Sequence, residues 1–126
     1  MLPPTAGSGE TPLHWVGSAK KDFLAFPVSV IGDMGYALGL AQLGGKHPSA
    51  KPWKGQGPGV FELVEQQGGD TYRCVYTVRF EDALYVLHAF QKKAKRGIAT
   101  PKQEPDLVRR RLAAAERHYR DTHRGD

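Results

Sequence analysis

Four cations follow one another closely at the end of an apolar stretch of the chain. Residues 84–90 read LYVLHAF, and after them come Lys92, Lys93, Lys95 and Arg96. An apolar run of this length is typical of a strand that is buried on both faces. Lysine and arginine bind phosphate groups, and arginine can do so through two parallel hydrogen bonds. The cation cluster therefore predicts a surface that faces a phosphate-bearing partner or substrate, such as RNA.

A second basic segment lies in a loop rich in glycine and proline. Lys51 and Lys54 flank Trp53 within residues 46–58, KHPSAKPWKGQGP. Basic residues beside an aromatic ring can hold a nucleic-acid backbone while the ring stacks on a base. A tryptophan in a loop more often packs against the core, and both interpretations of Trp53 stay open.

Histidine is the side chain whose unperturbed pKa lies closest to neutrality, so His88 is a candidate acid or base. It interrupts a strongly apolar strand, where a hydrogen-bonded core histidine is the more common outcome. Lys92 and Lys93 could serve as phosphate clamps or, with a lowered pKa, as an acid or base. The alternative for the two lysines is a solvated patch that binds a partner.

The composition narrows the class of partner. The 126 residues include 18 Lys and Arg against 13 Asp and Glu, a net charge of +5. An excess of positive charge favours polyanionic partners, nucleic acid above all. The single cysteine, Cys74, excludes an internal disulfide and offers no pair of metal ligands.

No motif indicates a cofactor or a metal. The sequence contains no H-E-x-x-H, no Walker loop and no acidic cluster suited to Mg²⁺. We therefore expect neither a cofactor nor a metal site. No apolar run approaches the roughly 18 residues that span a bilayer, and the N-terminus lacks the features of a secretory signal. We expect a cytoplasmic protein with no membrane partner.

Three strands are predicted in the second half of the chain. Tyr72, Cys74, Tyr76 and Val78 alternate with Arg73, Val75, Thr77 and Arg79, which is the period of a pleated strand. A strand over residues 60–66 precedes it, and the hairpin turn 67–70 contains Gly68 and Gly69. The run 84–90 supplies the third strand, so short connections predict an antiparallel meander.

Three helices surround this meander in the predicted chain order. A short strand over residues 13–16 is followed by a helix with Ser18 as its predicted N-cap and by a second helix over residues 28–43. The last helix begins near Thr100 and Pro101, or at Pro105. The apolar faces of the second and third helices are predicted to be Ile31, Met34, Leu38 and Ala41, and Val108, Leu112, Ala115 and Tyr119.

The predicted fold class is α+β. A curved antiparallel sheet is built from the short first strand plus the three-stranded meander, with two N-terminal helices and one C-terminal helix on one face. Residues 13–122 are predicted to form a single domain, residues 1–12 a flexible tail and residues 123–126 a frayed end. Residues 46–58 are predicted to be irregular.

Several segments of the chain resemble one known family. The matching pieces are WVGSAKKDF, ALGLAQLGGKHPSAKPWKG, GVFELVE, TYRCVYTVRF and LYVLHAFQKKAKRGIATPK, which cover roughly residues 13–120. The chain resembles the RelE/ParE toxin superfamily of bacterial toxin–antitoxin modules, most closely its phage-derived, HigB-like branch. The resemblance implies a RelE-like fold and a toxin that cleaves mRNA in the ribosomal A site. It also implies neutralisation by a cognate helix-turn-helix antitoxin.

The resemblance assigns roles to particular residues. It implies that Arg73 contacts the scissile phosphate and that Lys92 and Lys93 form the family's basic exit from the last strand. A metal-free ribonuclease makes the ribose 2′-OH attack the phosphate, so it needs a base, cations for the developing charge and an acid. For Arg73 the structural alternative is an ion pair with Glu62 on the neighbouring strand.

The chain departs from the family pattern at two places. Val64 stands where relatives often carry an arginine, and residues 60–62 lack the lysine pair of the best-known RelE toxins. The missing cations could come from Lys51, Lys54 and the cluster 92–96. Two other functions stay open: a ParE-like protein inhibitor of DNA gyrase, and an RNA-binding relative that does not cleave.

Overall fold

A computed structural model describes residues 10–92 and 103–122. Its elements are, in chain order, β1 (Leu13–Trp15), α1 (Ala19–Leu24), α2 (Val28–Gln42), β2 (Ala50–Pro52), β3 (Val60–Gln67), β4 (Asp70–Phe80), β5 (Ala83–Lys92) and α3 (Gln103–Thr122). The strands form one sheet in the order β1-β5-β4-β3-β2. The predicted α+β class is confirmed.

The predicted meander is present and its first turn explains its register. Strands β3 and β4 pair without interruption from Val60 opposite Thr77 to Gln67 opposite Asp70. The two residues between them, Gly68 and Gly69, have φ angles of +62° and +87°. Two-residue hairpin turns with positive φ match the twist of the flanking strands, and glycine adopts them without steric cost. The turn therefore sets which side chains of β3 and β4 share a face.

The sheet differs from the prediction at both edges. Strand β1 pairs in parallel with β5, Leu13 lying opposite Leu84, so the sheet is mixed and not purely antiparallel. Parallel pairing needs a long crossover, and the whole of α1 to β4 separates the two strands. Strand β2 lies in the segment predicted to be irregular. It pairs with residues 61–63 of β3, and as an edge strand it tolerates Pro52, which has no N–H to donate.

The prediction that all helices cover one face of the sheet is wrong. Helices α1 and α2 pack on one face, against a core that includes Leu63, Tyr72, Cys74, Tyr76, Leu84 and Val86. Helix α3 packs on the other face, against Val60, Val75, Tyr85, Leu87 and Phe90. The reason lies in β5, whose residues 83–90 are all buried. A strand that is apolar on both sides requires a cover on both sides.

The helix ends also differ in detail from the prediction. Ser18 does not cap α1 through its side chain; its hydroxyl donates to the Asp22 carboxylate at 2.8 Å. The described part of helix α3 starts at Gln103, and Thr100 and Pro101, near which its start was predicted, lie outside the described residues. The predicted apolar stripe of α3 is confirmed, since Val108, Leu112 and Ala115 are buried and Tyr119 packs against them.

The predicted ends of the chain are only partly described. Thr11 donates its N–H to the Gln42 carbonyl at 2.8 Å, and the Pro12 carbonyl accepts from the Leu84 N–H at 2.9 Å. The last two residues of the predicted tail are therefore bonded to the domain. Residues 1–9 and 123–126 lie outside the described part of the chain.

We expect Cys74 to be unreactive in the folded protein. Its side chain is fully buried, and burial raises the pKa of its thiol to about 12. Because the thiolate is the reactive form, iodoacetamide at neutral pH should modify the chain only when it unfolds. Mass spectrometry of the native and urea-unfolded protein measures both rates. Rapid alkylation under native conditions would contradict the buried position of Cys74.

Three glycines weaken α2, and no neighbouring segment among the described residues packs closely against them. A Cβ atom added at Gly32, Gly35 or Gly39 would meet nothing within 4 Å. Gly35→Ala should therefore raise the free energy of unfolding by up to about 1 kcal/mol, the difference in helix propensity. Gly69→Ala is the matched control and should destabilise, because φ there is +87°. Urea unfolding of both variants tests the contrast, and a destabilising Gly35→Ala would show a contact that the fold does not account for.

Candidate functional site

The sheet register brings the predicted site residues to one face. Residues that lie directly opposite each other on neighbouring strands share a face. Lys51 lies opposite Glu62, and Glu62 lies opposite Val75. Arg73 and Lys92 follow on the same face of β4 and β5. We call the set Lys51, Glu62, Arg73, His88 and Lys92 the site face; it lies on the same side of the sheet as α3.

Arg73 is held by an ion pair at the centre of this face. Its Nη1 donates to Glu62 Oε1 at 2.6 Å, and the two side chains are only 22% and 16% exposed. The pairing with Glu62 that the sequence left open is therefore present. A guanidinium carries five N–H donors, so this contact leaves most of its capacity unused. The Nε–H of Arg73 is buried and has no hydrogen-bond partner among the described residues.

Two lysines lie on either side of this pair. Lys51 is exposed on the edge strand β2, directly opposite Glu62. Lys92 lies opposite Thr71, which makes it a diagonal neighbour of Arg73 at a Cβ separation of roughly 7–8 Å. The positive charge on this face thus comes from three strands. Lys93, Lys95 and Arg96 lie outside the described residues.

His88 is a buried histidine with partners at both ring nitrogens. Its Nε2 lies 2.5 Å from Glu104 Oε1, and its Nδ1 lies 3.5 Å from Arg111 Nη1. The ring stacks on Phe90 with centroids 4.7 Å apart. Arg111 also donates to the Leu87 carbonyl at 3.0 Å. In this arrangement His88 joins the first turn of α3 to the sheet, and a catalytic role for His88 stays a prediction.

The loop around Trp53 is packed onto the core. Trp53 is only 8% exposed and belongs to the core on the α3 side, so its ring packs the loop and is not open to a stacking base. Lys54 beside it is exposed. Arg79 holds the following turn, donating through Nε to the Pro58 carbonyl at 3.2 Å and through Nη2 to the Gln56 carbonyl.

The site face combines cations with the carboxylate of Glu62, whose side chain is 16% exposed. The sequence suggested Glu62 only as a possible ion-pair partner of Arg73. Its position on the site face follows from the register of β3 and β4, which no local pattern in the sequence shows. Within residues 10–92 and 103–122, no three His, Cys, Asp or Glu side chains come together in an arrangement that could hold a metal ion. No described helix is both long and apolar enough to cross a membrane.

A family model matches most of the chain. The model described as phage-derived protein Gp49-like matches residues 21–113, and the chain belongs to this family. The match confirms the phage-derived part of the predicted resemblance, while the placement in a HigB-like branch stays a prediction. No curated protein matches the chain in sequence.

Solved structures also match the chain. A free-state mutant of the Escherichia coli toxin RelE superposes with a TM-score of 0.53 at 18% identity, over 80% of this chain and 97% of that one. The RelBE2 toxin–antitoxin complex from Mycobacterium tuberculosis has a TM-score of 0.42 at 17% identity, over 68% of this chain and 94% of that one. The match to RelE confirms the predicted RelE-like fold.

We expect Glu104 to stabilise the fold through His88. Glu104→Ala removes the carboxylate from a largely buried histidine and leaves the ring nitrogen without its partner. A buried polar group that loses its partner costs about 1–3 kcal/mol. The control is Glu116→Ala, which breaks an exposed pair with Arg120 at 3.5 Å and should cost less than about 1 kcal/mol. Equal stability of the two variants in urea would show that the His88 contact does not anchor α3.

Proposed function

We propose that this member of the Gp49-like family is the toxin of a type II toxin–antitoxin module and acts as a ribosome-dependent mRNA endoribonuclease. The observation that carries the proposal is the position of Arg73, paired with a carboxylate and flanked by lysines on one face of a RelE-like sheet. Phosphate binding and proton transfer are both available on this face. The catalytic unit in this proposal is a single domain over residues 13–122 that works in the cytoplasm.

Arg73 binds the scissile phosphate in this mechanism. As the ribose 2′-OH attacks, negative charge builds up on the phosphate oxygens, and a fixed guanidinium stabilises that charge more than the ground state. The ion pair with Glu62 holds the guanidinium in position before RNA binds. Its unused N–H donors supply the bonds to phosphate, and Lys51 adds charge from the edge strand.

Glu62 is the base that accepts the proton of the 2′-OH. A carboxylate can take this proton when it lies within hydrogen-bond reach of the attacking hydroxyl. Its contact with Arg73 places the base beside the phosphate-binding group, as the in-line attack requires. Val64, directly opposite Arg73, leaves no second arginine at this point of the face, so the remaining cations come from β2 and β5.

Lys92 and Lys93 stabilise the departing 5′-oxygen and supply its proton. Lys92 is the described member of this pair and lies beside Arg73 on β5. Lys95, Arg96, Lys51 and Lys54 bind the RNA backbone or ribosomal RNA. The mechanism uses side chains alone and needs no metal.

A toxin of this type requires a protein that neutralises it. We propose a cognate antitoxin with a helix-turn-helix DNA-binding domain, encoded beside the toxin gene. Its expression should restore growth to cells that produce the toxin. The mRNA and the ribosome are the other partners of the proposed activity.

We expect Arg73→Gln to abolish growth inhibition in a bacterial host. Loss of one charged transition-state donor lowers cleavage by about 10²–10³-fold, and glutamine keeps a polar amide at this position without the charge. Primer extension on ribosome-bound mRNA measures the cleavage directly. Arg109→Ala is the control, since Arg109 is exposed and pairs only with Asp106 on the same helix; it should stay toxic.

Circular dichroism of the purified Arg73→Gln variant establishes that the fold is retained. Unchanged mRNA cleavage by a folded variant would remove Arg73 from the mechanism. DNA damage linked to gyrase, with intact mRNA, would favour the ParE-like alternative and overturn the proposed activity.

Glu62→Gln tests the base separately from the phosphate-binding group. The amide can still accept a hydrogen bond from Arg73, but it cannot accept a proton at neutral pH. Cleavage should fall by about 10²–10⁴-fold, the usual contribution of a general base, while binding to RNA is kept. Fluorescence anisotropy with a labelled single strand measures the binding. If the variant cleaves at the original rate, the base is another group.

A further inference from the structure

Strand β3 has an unpaired edge over its second half. Its eight residues all pair with β4, but β2 pairs only with residues 61–63. Beyond residue 63, no strand in the described part of the chain lies on this side of β3. An open edge of this kind presents free main-chain donors and acceptors to another chain.

The alternation of the backbone shows which groups point outward. The Val60 carbonyl accepts a hydrogen bond from the Trp53 N–H at 2.8 Å, on the side of β2. Since successive residues of a strand direct their main-chain groups to opposite sides, Glu62, Val64 and Gln66 point the same way as Val60. The N–H and C=O groups of Val64 and Gln66 therefore point away from β4, along the open edge.

A pocket lies directly beside this edge on the α2 side of the sheet. Its volume is about 210 Å³, and its walls come from α2, from the loop before β2 and from β3. The lining side chains that carry polar groups are Asp33, Tyr36, His47, Ser49 and Glu65. A strand edge beside a pocket is the arrangement by which domains bind extended peptides: the main chain provides affinity, and alternate side chains enter the pocket.

The pocket is acidic although the chain as a whole is basic. The carboxyl groups of Asp33 and Glu65 are neighbours in this pocket, and burial together with the nearby Asp33 carboxyl raises the pKa of Glu65. Tyr36 is 64% exposed, so its ring can cover a bound cation. His47 is turned towards Ser49, with Nδ1 and Oγ 2.8 Å apart.

We propose that the open edge of β3 and the pocket formed by Asp33, Tyr36 and Glu65 bind an extended segment of a partner protein that carries a lysine or arginine. The segment adds a strand by pairing with Val64 and Gln66. Its residue opposite Glu65 lies on the α2 side and places its cationic end between the two carboxyl groups. The inference stands on this geometry and does not depend on ribonuclease activity.

The negative charge of the pocket disfavours two other possible partners at this edge, nucleic acid and a second copy of the chain. Nucleic acid is disfavoured because two carboxyl groups line the pocket. A second copy of the chain, paired edge to edge, would bring the Asp33–Glu65 groups of both copies close together, and like charges on neighbouring strands destabilise the pairing. A basic peptide segment satisfies both the open backbone and the carboxyl pair.

The test uses ¹⁵N-labelled protein and a blocked heptapeptide, acetyl-TVTRTVT-amide. We expect NMR shifts centred on the amides of Val64 and Gln66, and slower hydrogen exchange at both. Replacing the arginine by citrulline, which keeps its shape but removes its charge, should weaken binding about tenfold. N-methylation of alternate peptide nitrogens should abolish binding, because it removes the donors to the strand edge.

A double variant with a matched control, and a separate proline variant, locate the site on the protein. Asp33→Asn combined with Glu65→Gln should reduce affinity for the arginine peptide to that of the citrulline peptide, whereas Glu116→Gln on α3 should change neither. Gln66→Pro removes only an outward N–H, since an edge strand tolerates proline there, and should abolish binding with the fold retained by circular dichroism.

Equal affinity for the two peptides, or shifts confined to another surface, would overturn the proposal. Dimerisation through the edge of β3 in sedimentation, without any effect of the peptide, would also overturn it. Growth inhibition by the Gln66→Pro variant tests the proposed ribonuclease activity, whereas peptide binding tests the strand-edge site. The two proposals can therefore fail independently.

Discussion

Strand β5 is apolar on both faces, and the rest of the fold follows from the need to cover both. Burying a large apolar side chain contributes about 1.5–3 kcal/mol, and residues 83–90 of β5 are all buried. Leu84 and Val86 face α1 and α2, while Tyr85 and Leu87 face α3. Without α3 the second set would be exposed to water.

His88, a buried polar side chain in this strand, shows how strict the constraint is. A polar group buried without a partner costs free energy, and α3 supplies the partner through Glu104. The same helix that covers the apolar residues thus satisfies the histidine. This contact places the first turn of α3 beside the end of β5, where Lys92 lies.

The two surfaces of the protein differ in charge for a geometric reason. On the α3 side, Lys51 of β2, Arg73 of β4 and Lys92 of β5 gather positive charge around Glu62 of β3. On the α2 side, Asp33 and Glu65 lie beside an open strand edge. Adjacent residues of β3 alternate between these surfaces, so Val64 faces the site and Glu65 faces the acidic pocket. One strand thereby serves a proposed substrate surface and a proposed partner surface.

The sequence by itself determined the local elements. The alternation in β4, the Gly68–Gly69 turn and the apolar stripe of α3 are patterns within a few residues, and each was predicted correctly. The predicted stripe of α2 was correct in part, since it missed the buried Val30 and Ala37 and included Ile31, which is only partly buried. The apolar run in β5 also indicated burial on both faces, although the helices were predicted on one. The resemblance of several segments to a toxin family predicted the RelE-like fold. The cations that follow β5 in the sequence predicted a surface that faces a phosphate-bearing partner.

Only the tertiary structure decided which distant residues meet. The parallel pairing of β1, the short strand β2 and the position of α3 on the second face depend on contacts between segments far apart in the chain. The pairing of Arg73 with Glu62 depends on the register of two strands, and the open edge of β3 depends on where β2 stops. Such contacts reflect the burial and hydrogen bonding of the whole domain, and no local pattern in the sequence contains them.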